Sequence, residues 1–143
     1  MARRLGDELN EMRFQDNLSN SEIVLQYRMP TTPERVAYTN EAFQRKGRKI
    51  ISRPVETRLK YGLKILKGFR EGDFEIKGSD GTWIVISSDV ESDHYNADWK
   101  EHVEKYASDI VELLAIRVFD VPVQAAVEED AEEETGEEGS DPN

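Results

Sequence analysis

From Glu128 the sequence reads Glu-Glu-Asp-Ala-Glu-Glu-Glu-Thr-Gly-Glu-Glu-Gly-Ser-Asp-Pro-Asn, with nine acidic side chains, no basic one and nothing apolar larger than Ala131. Such a stretch cannot bury enough surface to offset the entropy lost on ordering it. Residues 128–143 are therefore expected to form a disordered acidic tail, and any core must come from residues 1–127, with 1–10 a candidate flexible lead-in. The tail also accounts for most of the formal charge of −11, because the first 127 residues carry a net charge of only −2. That length suits one domain.

Inside the domain the charge is segregated. Residues 45–70 hold ten basic side chains and one acidic, a net of +9, whereas residues 71–127 hold four basic and thirteen acidic, a net of −9. The chain has no cysteine, which excludes disulfides, thiolate metal ligands and a cysteine nucleophile, and suits a reducing compartment. The opening MARRLGDELNE has two arginines without an apolar stretch behind them, and no run approaches the ~18 apolar residues of a membrane span. The expectation is a soluble, cytoplasmic protein with no membrane partner.

The periodicities predict a small α+β domain: an N-terminal strand pair, two helices, a β-hairpin and a long C-terminal helix. Glu11-Met12-Arg13-Phe14 and Ile23-Val24-Leu25-Gln26-Tyr27-Arg28-Met29 read as strands around a turn-rich Asp16-Asn17-Leu18-Ser19-Asn20. Ile23, Leu25, Tyr27 and Met29 share the face to be buried, leaving Val24, Gln26 and Arg28 on a mostly wet face. Thr31 with Glu34 fits a capping box, and Pro33 is tolerated in a first turn, so a three-turn helix is expected to end near Gly47. A second helix starts at Ser52 and Pro54, with Val55, Leu59, Gly62, Leu63, Ile65, Leu66 and Phe69 as its core stripe. Phe74-Glu75-Ile76 and Thr82-Trp83-Ile84-Val85-Ile86 flank the turn Gly78-Ser79-Asp80-Gly81. The third helix is expected from Asp98 to Phe119, burying Trp99, Val103, Tyr106, Ile110, Leu113, Leu114 and Arg117 on one stripe.

Motifs for phosphate-binding loops, dinucleotide folds, nucleophile elbows and zincins are missing from the sequence. The acidic group Asp89, Glu91, Asp93 and His94 lacks the glycine and distal glutamate of a calcium loop and reads as a solvated, helix-initiating loop. No enzyme, cofactor or metal is expected.

The basic segment is the sharper feature. Arg45, Lys46, Arg48, Lys49 and Arg53 surround a Gly47 connection, and Lys60, Lys64 and Lys67 continue along the second helix with Arg58 and Arg70. Nucleic-acid binding by residues 45–70 is disfavoured by the acidic segments that follow and by the lack of a reading helix after a turn. Docking of an acidic surface, a partner's or the chain's own tail, uses the charge better. Tyr38 and Phe43, on a helix with little else to bury, and Leu18 in the first turn are candidate exposed contacts.

Three blocks carry a family resemblance: Tyr27-Arg28-Met29-Pro30-Thr31-Thr32-Pro33-Glu34-Arg35-Val36-Ala37-Tyr38, the run from Leu59 to Phe74, and Asp98-Trp99-Lys100 leading into an amphipathic helix. Over about residues 22–120 the chain resembles the tail assembly chaperones of long-tailed phages and prophages. The resemblance implies a non-enzymatic protein of the bacterial host cytoplasm that binds the tape-measure protein, keeps it soluble and helps recruit tail-tube proteins. It carries over no catalytic residue and leaves a homo-oligomer open. The alternatives are a structural tail or head–tail joining component of the virion and, behind it, the nucleic-acid module on residues 45–70.

Overall fold

The computed structural model describes residues 2–120 as a small α+β domain, so the acidic segment 128–143 and the boundary at 127 lie outside the described residues. Strands β1 (Leu9–Asp16) and β2 (Ser21–Arg28) pair antiparallel with Phe14 opposite Ile23 and Met12 opposite Leu25. Their connection is closed by Asp16, whose Oδ2 accepts the N–H and hydroxyl of Ser19 at 2.9 and 2.7 Å, and by Asn20 in the left-handed region at φ 55°.

Helix α1 (Thr32–Ala42) starts on the capping box read from sequence. The Glu34 N–H donates to Thr31 Oγ1 at 3.3 Å, and the Thr31 N–H donates to Glu34 Oε1 at 2.8 Å. Arg28, the last residue of β2, donates from both Nη atoms to the two Glu34 oxygens at 2.8 Å, so one carboxylate caps the helix and ties it to the sheet.

The helix ends at Ala42, not near Gly47. Residues 43–52 instead form a two-stranded antiparallel ribbon, β3 (Phe43–Lys46) and β4 (Lys49–Ser52), turned by Gly47 at φ 63°. Helix α2 (Pro54–Ile65) is also shorter than its stripe predicts, because Leu66 and Phe69 belong to β5 (Leu66–Phe69), which pairs with β2 to complete the sheet β1-β2-β5. Its buried face is Thr57, Tyr61, Gly62 and Ile65, with Leu59 and Leu63 half-buried and Val55 exposed.

The hairpin β6 (Phe74–Lys77) and β7 (Trp83–Ile86) stands where the sequence places it. The long third helix, by contrast, is broken. It comprises α3 (Trp99–Tyr106), a bend at Ala107 (φ −134°, ψ 37°), α4 (Ser108–Ala115) and a π turn over Ile116–Asp120. Val103, Ile110 and Leu114 are buried as expected, but Tyr106 and Arg117 are exposed. Val24, expected on the wet face of β2, is buried too, and its N–H donates to Asp73 Oδ2 at 2.9 Å.

The core joins the β1-β2-β5 sheet to α2, α3 and α4 through Ile23, Leu25, Ile65, Leu66, Val111 and Leu114. At its centre α2 and α4 approach so closely that a Cβ on Gly62 would lie 2.7 Å from both Cγ1 and the carbonyl oxygen of Val111. The carbonyl cannot rotate away as a side chain could. Gly62→Ala gains roughly 1 kcal/mol of helix propensity but forces an overpacking cost of about 1–3 kcal/mol. Net destabilisation of up to about 2 kcal/mol is expected in urea unfolding; a stabilising alanine would refute the close packing.

The Glu34 carboxyl is held at about 2, chiefly by the Arg28 hydrogen bond working against desolvation. A carboxyl depressed on folding stabilises the fold above its unfolded value of 4.5 and loses that contribution as pH falls from there towards 2. The acid limb of the stability–pH profile should therefore be shallower in Glu34→Gln than in the parent between those two values. Equal slopes would show that this carboxyl is not held down.

Candidate functional site

The sequence-predicted contact residues separate into three environments. Tyr38 is interior, not exposed: only 5% of its surface is accessible, and its ring stacks on Phe119 at 4.4 Å. Its hydroxyl donates to Asp120 Oδ1 at 2.9 Å, and burial together with that carboxylate pushes its pKa to about 12. Helix α1 looked apolar-poor because its burial is concentrated in Tyr38 and Ala42, and Tyr38 meets Phe119 and Asp120 from the last described turn. Arg35 donates to the Val118 carbonyl at 2.9 Å, and Arg58 Nε donates to Asp120 Oδ2 at 3.1 Å.

The helical half of the basic segment is largely neutralised within the fold. Lys60 pairs with Glu41 at 2.9 Å, Lys64 lies 3.9 Å from Glu34, Arg58 is held by Asp120, and Arg70 bonds Asp73 and Glu22. Glu41 also accepts from the Tyr61 hydroxyl at 2.6 Å, and its pKa is lowered, first by Lys60 and then by Tyr61. Lys67 is exposed on β5.

The ribbon half is different. Arg45, Lys46, Arg48, Lys49 and Arg53 are all exposed, and none makes an ion pair among the described residues. Lys46 stands directly opposite Lys49 in the register, a like-charge pair that destabilises an isolated ribbon. Below them, Arg45 is opposite Ile50, and Phe43, 60% exposed, is opposite Ser52. The alternation of β3 and β4 puts Phe43, Arg45 and Ile50 on one face.

A second surface, absent from the sequence reading, is a groove of about 1040 Å³ between the β1–β2 turn, the β6–β7 hairpin and the α3–α4 bend. Its floor includes Ile23, Phe74, Ile76, Val103 and Ile110, and around it stand Leu18, Trp83 and Tyr106, which are 90%, 65% and 76% exposed. Tyr106 was expected on the buried stripe of the third helix; instead the bend at Ala107 brings it to the groove margin, where the hairpin also places Trp83. Asp16, Asp73, Glu75 and Asp109 line the same groove against a single lysine, Lys77, with His102 beside them. Leu18 is the one member that the sequence singled out as an exposed contact.

Among the described residues no group of three or more histidine or acidic side chains is placed to hold a metal ion, and no helix is long and apolar enough to cross a membrane. Asp89, the head of the acidic loop, accepts the Glu91 N–H through Oδ1 at 2.9 Å, closing a local turn. No protein-family model, curated protein or solved structure matches the chain.

The contacts of Asp120 generate a stability prediction. Asp120→Ala leaves the Tyr38 hydroxyl and the Arg58 guanidinium without their acceptor in a half-buried place, a loss of about 1–3 kcal/mol. Chemical denaturation checks it, and a change within error would mean that the last described turn is not held by these bonds.

Proposed function

We propose that the protein is a non-enzymatic assembly factor, a tail assembly chaperone of long-tailed phage type, which holds a helical segment of its client in the groove. The observation that carries this reading is the cluster of three large apolar side chains, Leu18, Trp83 and Tyr106, standing in solvent around an apolar floor. Exposed apolar surface concentrated at a concave site marks a place where another molecule docks. The acidic margin narrows the choice: an amphipathic helix with apolar anchors at three- and four-residue spacing and basic flanking positions fits both the floor and the charge.

The family resemblance supplies the client, the tape-measure protein, a long helical polypeptide, and the setting, the cytoplasm of the bacterial host. Shielding apolar positions of that protein would keep it soluble while tail-tube proteins are recruited. The acidic segment 128–143 adds charge repulsion between loaded complexes.

Co-expression with the tape-measure protein of the same gene cluster should give a complex recoverable by pull-down and a larger soluble fraction of client. Trp83→Glu and Tyr106→Glu, at exposed positions, should change stability by no more than about 0.5 kcal/mol while weakening client binding at least tenfold. Neither association nor a solubility gain with the parent chain would dismiss the proposal. Undiminished binding by both variants would place the client elsewhere. Mass spectrometry of finished particles adds a separate arm, since recovery of the protein there in stoichiometric amounts would favour a structural tail component.

A further inference from the structure

The β3–β4 ribbon carries exposed charge that the described fold does not use. Four cations, Arg45, Lys46, Arg48 and Lys49, crowd a two-residue turn, with Lys46 and Lys49 paired across it. The carboxylates that neutralise Lys60, Lys64, Arg58 and Arg70 are spent on α2 and on the residue after β5. A like-charge cross-strand pair costs stability unless an anion lies against it.

The last described residue is held near this place. Asp120, the last described residue, is fixed by Tyr38 of α1 and Arg58 of α2. Arg58 lies five residues along α2 from Arg53, about 7–8 Å by helical rise, and the Arg53 N–H donates to the Ala42 carbonyl at 2.9 Å, at the base of the ribbon. Asp120 therefore lies near that base. Seven residues, 121–127, separate Asp120 from the first glutamate and span at most about 25 Å. A four-residue strand extends about 13 Å, so the acidic run can reach the tip.

The order of chemistry matches as well. Moving out from Asp120 the sequence runs Val121, Pro122, Val123, Gln124, Ala125, Ala126 and Val127, with no charged residue before Glu128, Glu129 and Asp130. Moving out from its base, one face of the ribbon offers exposed Phe43 and then Arg45 opposite Ile50, with Arg48 in the turn and the Lys46–Lys49 pair on the other face.

We infer that the acidic segment 128–143 docks on the cationic tip of the β3–β4 ribbon of its own chain. This inference does not rest on the groove: it concerns a different surface, and either reading can fail alone.

The chain has no cysteine, so Ser140→Cys gives a single attachment point for a nitroxide on the full chain. In isotope-labelled, spin-labelled protein at low salt, the amide signals of residues 43–50 should broaden several-fold more than those of the groove residues Phe74, Ile76 and Trp83. The broadening should disappear at about 0.5 M salt, where the screening length falls to a few Å, and in the triple variant Arg45→Glu, Arg48→Glu, Lys49→Glu. It should also be missing when unlabelled-nitroxide and isotope-labelled chains are mixed as separate molecules, with the nitroxide carried only by the non-isotopic copy. Broadening confined to the groove, broadening seen only between separate chains, or no broadening at the ribbon would each overturn the inference.

Discussion

The architecture depends on the place where α2 stops being a helix. Ile65 ends α2 and Leu66 begins β5, and both are fully buried, so one peptide unit carries the chain from the helical layer into the sheet. The helical side of that junction packs on α4, where Gly62 allows the backbones to meet, and the strand side pairs with β2. Continuing the helix through Phe69 would have removed the third strand and left Val24 and Leu25 without a neighbour on that edge. Gly68 belongs to the same constraint, since a Cβ there would lie 2.6 Å from Ser88 Oγ and 3.0 Å from Gln26 Oε1. The β5 backbone must pass close to both side chains, and the Ser88 hydroxyl accepts the Phe69 N–H at 3.0 Å.

Features governed by chemistry at short range were legible in the sequence. Thr31 and Glu34 cap α1 because their three-residue spacing fits the free N–H groups of a first turn whatever lies beyond it. The first strand pair and the β6–β7 hairpin were legible for a similar reason, their turns being encoded by Asp16 with Ser19 and by Gly78 through Gly81. The misread elements are those in which two periodicities coincide. Leu66 and Phe69 extend the three- and four-residue spacing of Gly62 and Leu63, yet they also bracket a four-residue strand, and only pairing with β2 separates the two readings. The β3–β4 ribbon was hidden because its alternation runs through charged residues, which register as a solvated helix face. The bend at Ala107 has neither proline nor glycine, and no side-chain cap starts α4, so tertiary packing alone selects it.

The same distinction governs the candidate surfaces. Tyr38 was expected outside because α1 has few apolar residues, but exposure depends on what arrives from elsewhere, and Phe119 and Asp120 arrive from more than 80 positions away. The groove escaped sequence reading because its walls come from three separated segments, none of them unusual alone. A density of charge is equally silent on availability. The segment 45–70 carries +9 as a sequence, but the fold divides it into a helical part held by Glu34, Glu41, Glu22, Asp73 and Asp120 and a ribbon part with no carboxylate in contact among the described residues.

That division makes the opposite charges of the chain separable in function. A groove with an acidic margin and a ribbon of bare cations on one molecule attract each other between molecules as readily as they attract clients. Tethering decides the competition. A segment joined to the fold by seven residues acts at an effective concentration in the millimolar range, well above that of free chains or dilute polyanions at micromolar levels. Its contact with the ribbon is made of surface charges, individually worth about 1 kcal/mol or less, and is therefore reversible by salt or by a denser anion. With the acidic segment on the ribbon as inferred, the groove is the apolar surface left for the proposed client.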